Sequence, residues 1–292
     1  MRVLELFAGI GGFAAAFPDL KIVAAVDIDC SAREVYSNNF KHPFSVKEIS
    51  SLSLEWFART DTDFWWMSPP CTPFTRRGAK RDLEDPRSDA LKHLIQAVKS
   101  IRPSLVCLEN VVGFESSQAF HHLQEQWSGV GYHIQTLSIC PSSLGWPNRR
   151  PRVYCLASLK RLPERLLPRI EERPCISKFI DQEITRESAP SLWLEKKTVD
   201  RYLEAMDRVA WSNNGVATAC FAASYGKSIV RSGSYLETPM GYRRFSPREV
   251  ARFLGFNDDF RLPGTISVEK QWHLLGNSLS LPAVRHVLAG LL

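Results

Sequence analysis

Residues 2–27 constrain the fold more than any other stretch of the chain. Val3, Leu4, Leu6 and Phe7 make a short apolar strand, and Gly9-Ile10-Gly11-Gly12 turns it into a helix-like Phe13–Phe17 that Pro18-Asp19 ends. Leu20–Val26 reads as a second strand with Asp27 at its end. Strand, glycine turn, helix, strand and acid together open an α/β sheet of the dinucleotide type. Gly9-x-Gly11-x-x-Ala14 loosely meets the nicotinamide fingerprint. The geometry asks only for glycines where backbone meets ligand and for an acid that binds ribose hydroxyls. A ligand with adenosine and no pyrophosphate, such as S-adenosylmethionine, fits equally well: its carboxylate can sit by the helix start and Phe7 can face its adenine. The alternative is a tight turn that binds nothing.

The next chemical feature is Ser68-Pro69-Pro70-Cys71-Thr72-Pro73, placed just after the apolar run Phe64–Met67. Three prolines fix φ and remove backbone donors, so this is a stiff loop at the end of a strand rather than the inside of a helix or sheet. A lone cysteine there is as consistent with packing as with chemistry. The seven cysteines are scattered, without Cys-x-x-Cys or metal spacing, which argues for a reducing compartment and against structural zinc. The N-terminus has no signal-peptide pattern and no apolar run reaches membrane-spanning length, so a cytoplasmic protein is expected. The net charge of +6 permits a polyanionic partner without requiring one. A length of 292 residues allows one large domain, or a large and a small one.

Further strands follow. Ser31 is expected to cap a helix to Asn39, and Phe44–Ile49 reads as a third strand with Glu48 near its end. Residues 75–87 are charged and hold five basic residues, the composition of a mobile loop able to meet phosphates. A helix from Ser88 carries apolar positions Leu91, Leu94, Ile95 and Val98. Leu105–Leu108 is a strand buried on both faces, ending in Glu109-Asn110. A helix is expected over 115–127, and a strand over 132–139 paired with another over 153–157. Arg149, Arg150 and Arg152 crowd the turn between those two strands and suit an anionic or carbonyl-bearing ligand, or a solvated surface. Residues 160–173 read as a linker, and 175–242, with weak periodicity, as a small domain rich in loops. Ser246-Pro247-x-Glu249 opens a helix that Gly255 ends; Trp272–Leu275 is helix-like and Pro282 opens the last helix.

The strand ends thus offer a thiol, a carboxyl and guanidinium groups beside an adenosine pocket. Methyl transfer to carbon 5 of cytosine needs this set. A thiolate adding to carbon 6 makes carbon 5 nucleophilic, a carboxyl hydrogen-bonds ring nitrogen 3, and a guanidinium holds the exocyclic oxygen. A free thiol with a pKa of about 8.5 gains from positive surroundings.

In these residues the chain resembles the cytosine-5 methyltransferase family over nearly its whole length. Phe7-Ala8-Gly9-Ile10-Gly11-Gly12 resembles the cofactor motif, Asp27-Ile28 the ribose and adenine contact, and Glu48-Ile49 the acid that meets the adenine amine. Pro69-Pro70-Cys71 resembles the nucleophile motif, Glu109-Asn110-Val111 the Glu-Asn-Val motif, and Arg150-Pro151-Arg152 the Arg-x-Arg motif. Gly276-Asn277-Ser278 resembles the closing motif that returns to the cofactor pocket. The resemblance implies Cys71, Glu109, Arg150 and Arg152 as catalytic residues. It adds Ser68, Asn277 and Ser278 to the cofactor-binding set, with S-adenosyl-L-methionine as cofactor, S-adenosyl-L-homocysteine as product, and no metal. The implied fold is a Rossmann-like α/β methyltransferase sheet in residues 1–165. A small target-recognition domain over 166–243 precedes C-terminal helices over 244–292 that return to the catalytic domain.

Leu144-Gly145-Trp146-Pro147-Asn148, Cys220-Phe221-Ala222, Tyr225-Gly226 and Ser232-Gly233-Ser234 are similar to the branch that methylates transfer RNA in its anticodon loop, commonly cytosine 38 of aspartate tRNA. Thr72 and Ala222 depart from that pattern. The implied partner is a tRNA anticodon stem-loop, met by a monomer. DNA is the alternative substrate, and a nucleic-acid-binding protein without turnover the alternative class.

Overall fold

The computed structural model describes residues 1–71, 84–164, 174–212 and 215–292. The chain divides into two compact units, Met1–Ile139 with Pro151–Leu166 and Val287–Leu292, and Cys140–Arg150 with Leu167–His286. Residues 244–286, expected to group with the catalytic domain, thus fall in the second unit.

In the first unit the elements run β1 (Arg2–Leu6), α1 (Gly12–Ala16), β2 (Lys21–Asp27), α2 (Cys30–Asn39), β3 (Phe44–Val46), α3 (Leu54–Thr60), β4 (Phe64–Met67) and α4 (Asp89–Ile101). They continue as β5 (Leu105–Val111), α5 (Gln118–Ser128), β6 (His133–Ile139) and β7 (Arg152–Ser158). The strands form one sheet in the order β3-β2-β1-β4-β5-β7-β6. The first five are parallel, and β7 runs antiparallel to both β5 and β6. The expected pairing of β6 with β7 holds. Insertion of β7 between β5 and β6 comes from tertiary structure alone.

Apolar continuity explains the centre of this sheet. All four residues of β4 are buried, as are Leu105–Asn110 of β5, because parallel strands are covered on both faces. Burial of each such large side chain contributes roughly 1.5–3 kcal/mol. Phe13 of α1 stacks on Trp66 of β4 with ring centroids 5.1 Å apart, which ties the glycine turn to the strand that leads to Cys71. On the covered face α4 buries Leu91, Leu94, Ile95 and Val98, and the Trp127 indole of α5 donates to the Ile95 carbonyl at 3.3 Å.

Local chemistry moves several expected boundaries. Asp29, not Ser31, caps α2: its carboxylate accepts the N–H groups of Ser31 and Ala32, which a charged oxygen does well at a helix start. The third strand stops at Val46, and Glu48 begins a 3₁₀ turn over Ile49–Ser51. Helix α3, capped by Ser53, was not expected, since seven residues give little periodicity to read. The stretch Val112–Ser116 is a 3₁₀ turn, so α5 starts only after Ser117, whose hydroxyl accepts the Phe120 N–H.

The second unit is also more regular than its sequence suggests. It contains α6 (Lys196–Tyr202), then β8 (Asp207–Ala210), β9 (Ser234–Thr238) and β10 (Gly241–Arg244) in a sheet of order β10-β9-β8. α7 (Pro247–Leu254) shows the expected capping box between Ser246 and Glu249 and ends at Gly255 with φ 94°. α8 (Val268–Gly276) is longer than expected because Ser267 caps it. The last helix, α9 (Leu281–Leu288), contains the division between the units.

Candidate active site

Register brings the expected residues of the first unit to one edge of its sheet. Leu6 of β1 pairs with Met67 of β4, and Met67 with Leu108 of β5. The next residues along these parallel strands are Phe7, Ser68 and Glu109, so the glycine turn, the Pro-Pro-Cys turn and the acid leave the same C-terminal edge. Ligands of open α/β sheets collect at that edge. Strand β7 runs the other way, and its first residue, Arg152, pairs with Val111. An arginine at the start of an antiparallel strand therefore meets an acid near the end of its neighbour.

The Arg152 Nε lies 3.1 Å from Glu109 Oε1, with side chains only 15% and 9% exposed. One guanidinium nitrogen at the carboxylate holds the acid in place with little solvent about it. Asn110 turns the other way: its amide donates to the Pro69 carbonyl at 3.1 Å, and its side-chain oxygen accepts the Val111 N–H at 2.9 Å. That bond fastens the turn before Cys71 to the end of β5. The Ser68 hydroxyl donates to the Phe7 carbonyl at 3.2 Å, fastening the same turn to β1. Cys71 itself is half-buried. Cys155, by contrast, is wholly buried in β7, where burial pushes its thiol up to about 12. Most of the loop expected over 75–87 lies outside the described residues.

The glycine turn is built from left-handed backbone. Phe7, Gly9 and Gly11 have φ of 55°, 52° and 85°. Gly11 must be glycine, since a Cβ would lie 2.4 Å from the Phe40 ring. A Cβ on Gly9 would meet nothing within 4 Å, so its backbone faces open space. The Asp27 carboxylate accepts the N–H groups of Gly9 at 2.8 Å and Asp29 at 2.9 Å, with that of Ile28 also bonded to it. Burial raises the Asp27 pKa, partly offset by the N–H groups of Asp29 and Gly9. Ile28 is 66% exposed, an apolar side chain left open beside that acid, and Glu48 is exposed. An open backbone turn, an acid bonded to it and an exposed aliphatic wall suit an adenosine-bearing group such as S-adenosylmethionine.

The second unit holds the remaining expected residues. Arg150 does not present its guanidinium to a ligand: it is 3% exposed and donates to the carbonyls of Phe221 at 3.2 Å, Gly276 at 3.0 Å and Ser278. The expectation that it holds the base or a phosphate meets a buried guanidinium whose two terminal nitrogens are both bonded to main-chain carbonyls. Ser278 is buried, and Asn277 reaches His273 at 3.2 Å. Asn148 is wholly buried and donates to Thr218 Oγ1 and the Ala219 carbonyl.

Comparison with known proteins shows the family of the chain. The family described as C-5 cytosine-specific DNA methylase matches residues 1–291. The chain belongs to that family. It is 29% identical to a human tRNA (cytosine(38)-C(5))-methyltransferase, covering 100% of this chain and 98% of that protein. It is 26% identical to a Dictyostelium discoideum DNA (cytosine-5)-methyltransferase, covering 99% and 93%. The crystal structure of S. pombe Dnmt2 methyltransferase superposes with a TM-score of 0.88 at 28% identity, covering 99% of this chain and 97% of that one. The α/β sheet with its glycine turn is thus a methyltransferase sheet, and the chain is an enzyme of cytosine-5 methyl transfer.

In this methylase two buried groups escaped the sequence reading. Glu5 of β1 is fully buried and accepts the Tyr36 hydroxyl at 2.8 Å, and His42 meets the same hydroxyl at 3.1 Å. Burial pushes the Glu5 carboxyl up to about 8, opposed by the Tyr36 bond and by the N–H groups of α1. An acid inside an apolar strand was the available signal.

Proposed function

We propose that the chain methylates carbon 5 of a cytosine in a tRNA anticodon loop, with S-adenosylmethionine as donor and Cys71 as nucleophile. The observation that carries this reading is the half-buried Cys71 turn, bonded through Pro69 to Asn110, next to a Glu109 held by Arg152. The Cys71 thiolate adds to carbon 6 of the cytosine, and the displaced electron pair runs to nitrogen 3, which Glu109 protonates. Arg152 fixes Glu109 and faces the exocyclic oxygen. S-adenosylmethionine, when bound, supplies the electrophilic methyl group that carbon 5 takes up, and S-adenosylhomocysteine is left. Loss of the carbon 5 proton to a base then expels the Cys71 thiolate, and the nitrogen 3 proton returns to Glu109, which restores the ring and the acid. Phe7, Ala8, Gly9, Ile10, Gly11 and Gly12 would cradle the donor's amino-acid end. Asp27 would take its ribose, and Ile28, Glu48 and Ile49 its adenine. Ser68, Asn277 and Ser278 complete the cofactor-binding set.

The preference for tRNA draws on the named tRNA methyltransferases among its relatives, from mammals, fission yeast and an insect. It also draws on the Leu144–Asn148 and Cys220–Ala222 stretches. Single-stranded loop bases are already unstacked and need little duplex opening. In this reading residues 166–243 contribute target recognition to a monomer. The test incubates the protein and labelled S-adenosylmethionine with total tRNA and with duplex DNA, then maps modified cytosines by bisulfite sequencing. Anticodon-loop labelling that Cys71→Ala abolishes is expected. Methylated duplex DNA with unmodified tRNA overturns the substrate, and undiminished transfer by Cys71→Ala overturns the mechanism.

A further inference from the structure

We propose that the second unit carries a pocket for one unstacked nucleobase of the RNA substrate, other than the cytosine that reacts. This rests on the reading of the substrate as a single-stranded RNA loop.

A cavity of about 260 Å³ lies entirely within that unit, walled by Trp193, Trp211 and Met240 among its apolar members, with Asp181, Gln182, Thr238 and Arg243 as its polar ones. Its walls differ in how firmly they are held. The Trp193 indole donates to the Thr185 carbonyl at 3.1 Å, and Arg186 lies 4.8 Å over its ring. Arg186 also donates to the Met240 carbonyl at 2.9 Å, tying both sides of the cavity together. Trp211 and Met240 remain 46% and 53% exposed, large apolar groups that face solvent rather than the core. A flat partner with a π-face is the ligand class such a lining accepts, since every base can stack on an aromatic ring. The Gln182 amide carries both a donor and acceptor, the complement of a base edge.

The neighbouring cleft supplies the other half of a nucleotide. It measures about 320 Å³ and is lined by Arg248, Arg252 and Arg261 together with Asp258. Arg252 joins the two sites: its Nη1 bonds Asp181, a member of the first cavity, at 2.7 Å, and its Nε bonds Asp258 at 2.7 Å. Arg248 also reaches Asp258 at 3.7 Å, and three arginines to one aspartate make the cleft lining positive, the charge that attracts phosphate. An aromatic cavity beside an arginine cleft favours a base with its backbone over a neutral apolar molecule.

The test is a cycle on the full chain with an anticodon stem-loop RNA, read by fluorescence anisotropy and by methyl-transfer kinetics. Trp211→Ala is expected to weaken RNA binding about tenfold, within the range of one stacked base, and the loss falls in Kd and KM rather than in kcat. Trp211→Phe restores most of the affinity. Stem-loops made abasic at one loop position at a time should include one that binds the wild type as weakly as Trp211→Ala binds the intact loop. That position should cost Trp211→Ala nothing further. Circular dichroism checks that the variant folds, and Met240→Ala repeats the measurement should Trp211→Ala not fold. Unchanged affinity of the folded variant for single-stranded RNA and DNA alike, or abasic losses that add to it at every position, overturns the pocket. Methylation confined to duplex DNA overturns the substrate reading instead, and the two failures are separately visible.

Discussion

Two arginine–glutamate pairs, one in each unit, show how the same chemistry serves different ends. In the second unit Arg243 and Glu249 are 2% and 0% exposed and joined by two bonds of 2.8 Å. The remaining capacity of Glu249 is used as well: its carboxylate accepts the N–H groups of Ser246 and Asp181. In the first unit Arg152 approaches Glu109 through one nitrogen at 3.1 Å, at a sheet edge, with more of both side chains open. A fully bonded, fully buried pair is a fastener. A less buried pair at the edge where ligands gather is the one placed to meet a substrate.

That contrast can be broken by exchanging the expected losses. Glu109→Gln keeps the shape of the site and removes the proton that the proposed mechanism passes to nitrogen 3. Its kcat is expected to fall roughly 10²- to 10⁴-fold with the unfolding midpoint little moved, as measured by labelled methyl transfer and by urea titration. Arg243→Met does the reverse: it leaves Glu249 charged and buried, at a cost of about 3–5 kcal/mol in the urea titration. A Glu109→Gln enzyme that unfolds early while retaining turnover would erase the distinction between the pairs.

A third buried glutamate sharpens it. Glu5 is held by a tyrosine hydroxyl instead of a guanidinium, and burial raises its pKa from 4.5 to about 8. Between those values the folded chain keeps the proton and the unfolded chain has lost it. Rising pH therefore favours unfolding across that window, and the effect levels off above about 8. The slope expected for this group is on the order of 1 kcal/mol per pH unit, and Glu5→Gln should remove it from a urea titration series run from pH 5 to 9. Equal slopes in the two proteins would show that the carboxyl is ionised when folded.

Arg150→Lys is the mildest change. An ammonium cannot span the carbonyls of Phe221, Gly276 and Ser278 as a planar fork does. The loss of charged hydrogen bonds should cost about 1.5–3 kcal/mol of stability, with KM for nucleic acid rising if these segments are positioned by it. A larger fall in kcat than in stability would instead return Arg150 to the reacting base.

Cys71, Glu109 and Arg152 were legible in the sequence because each adjoins a strand whose apolar run is easy to read, and the sheet edge follows from strand direction. Arg150 stands two residues from Arg152 in the same basic turn, and nothing in its neighbours tells a buried guanidinium from an exposed one. Asn110 was legible as part of a motif, but its bond to Pro69 depends on β4 and β5 being neighbours in register. The three strands of the second unit were missed because four- or five-residue strands, half-exposed, carry too little alternation to be distinguished from loop.

The sequence by itself determined the sheet's beginning, the glycine turn, the stiff cysteine loop and the order of the family motifs, since these depend on φ restrictions and on local apolar patterning. Only the tertiary structure decided that β7 enters between β5 and β6, which delivers Arg152 to Glu109, and that Arg150 is spent on backbone carbonyls. Those outcomes depend on which surfaces exclude water together, a property of packed elements that no stretch of chain carries alone.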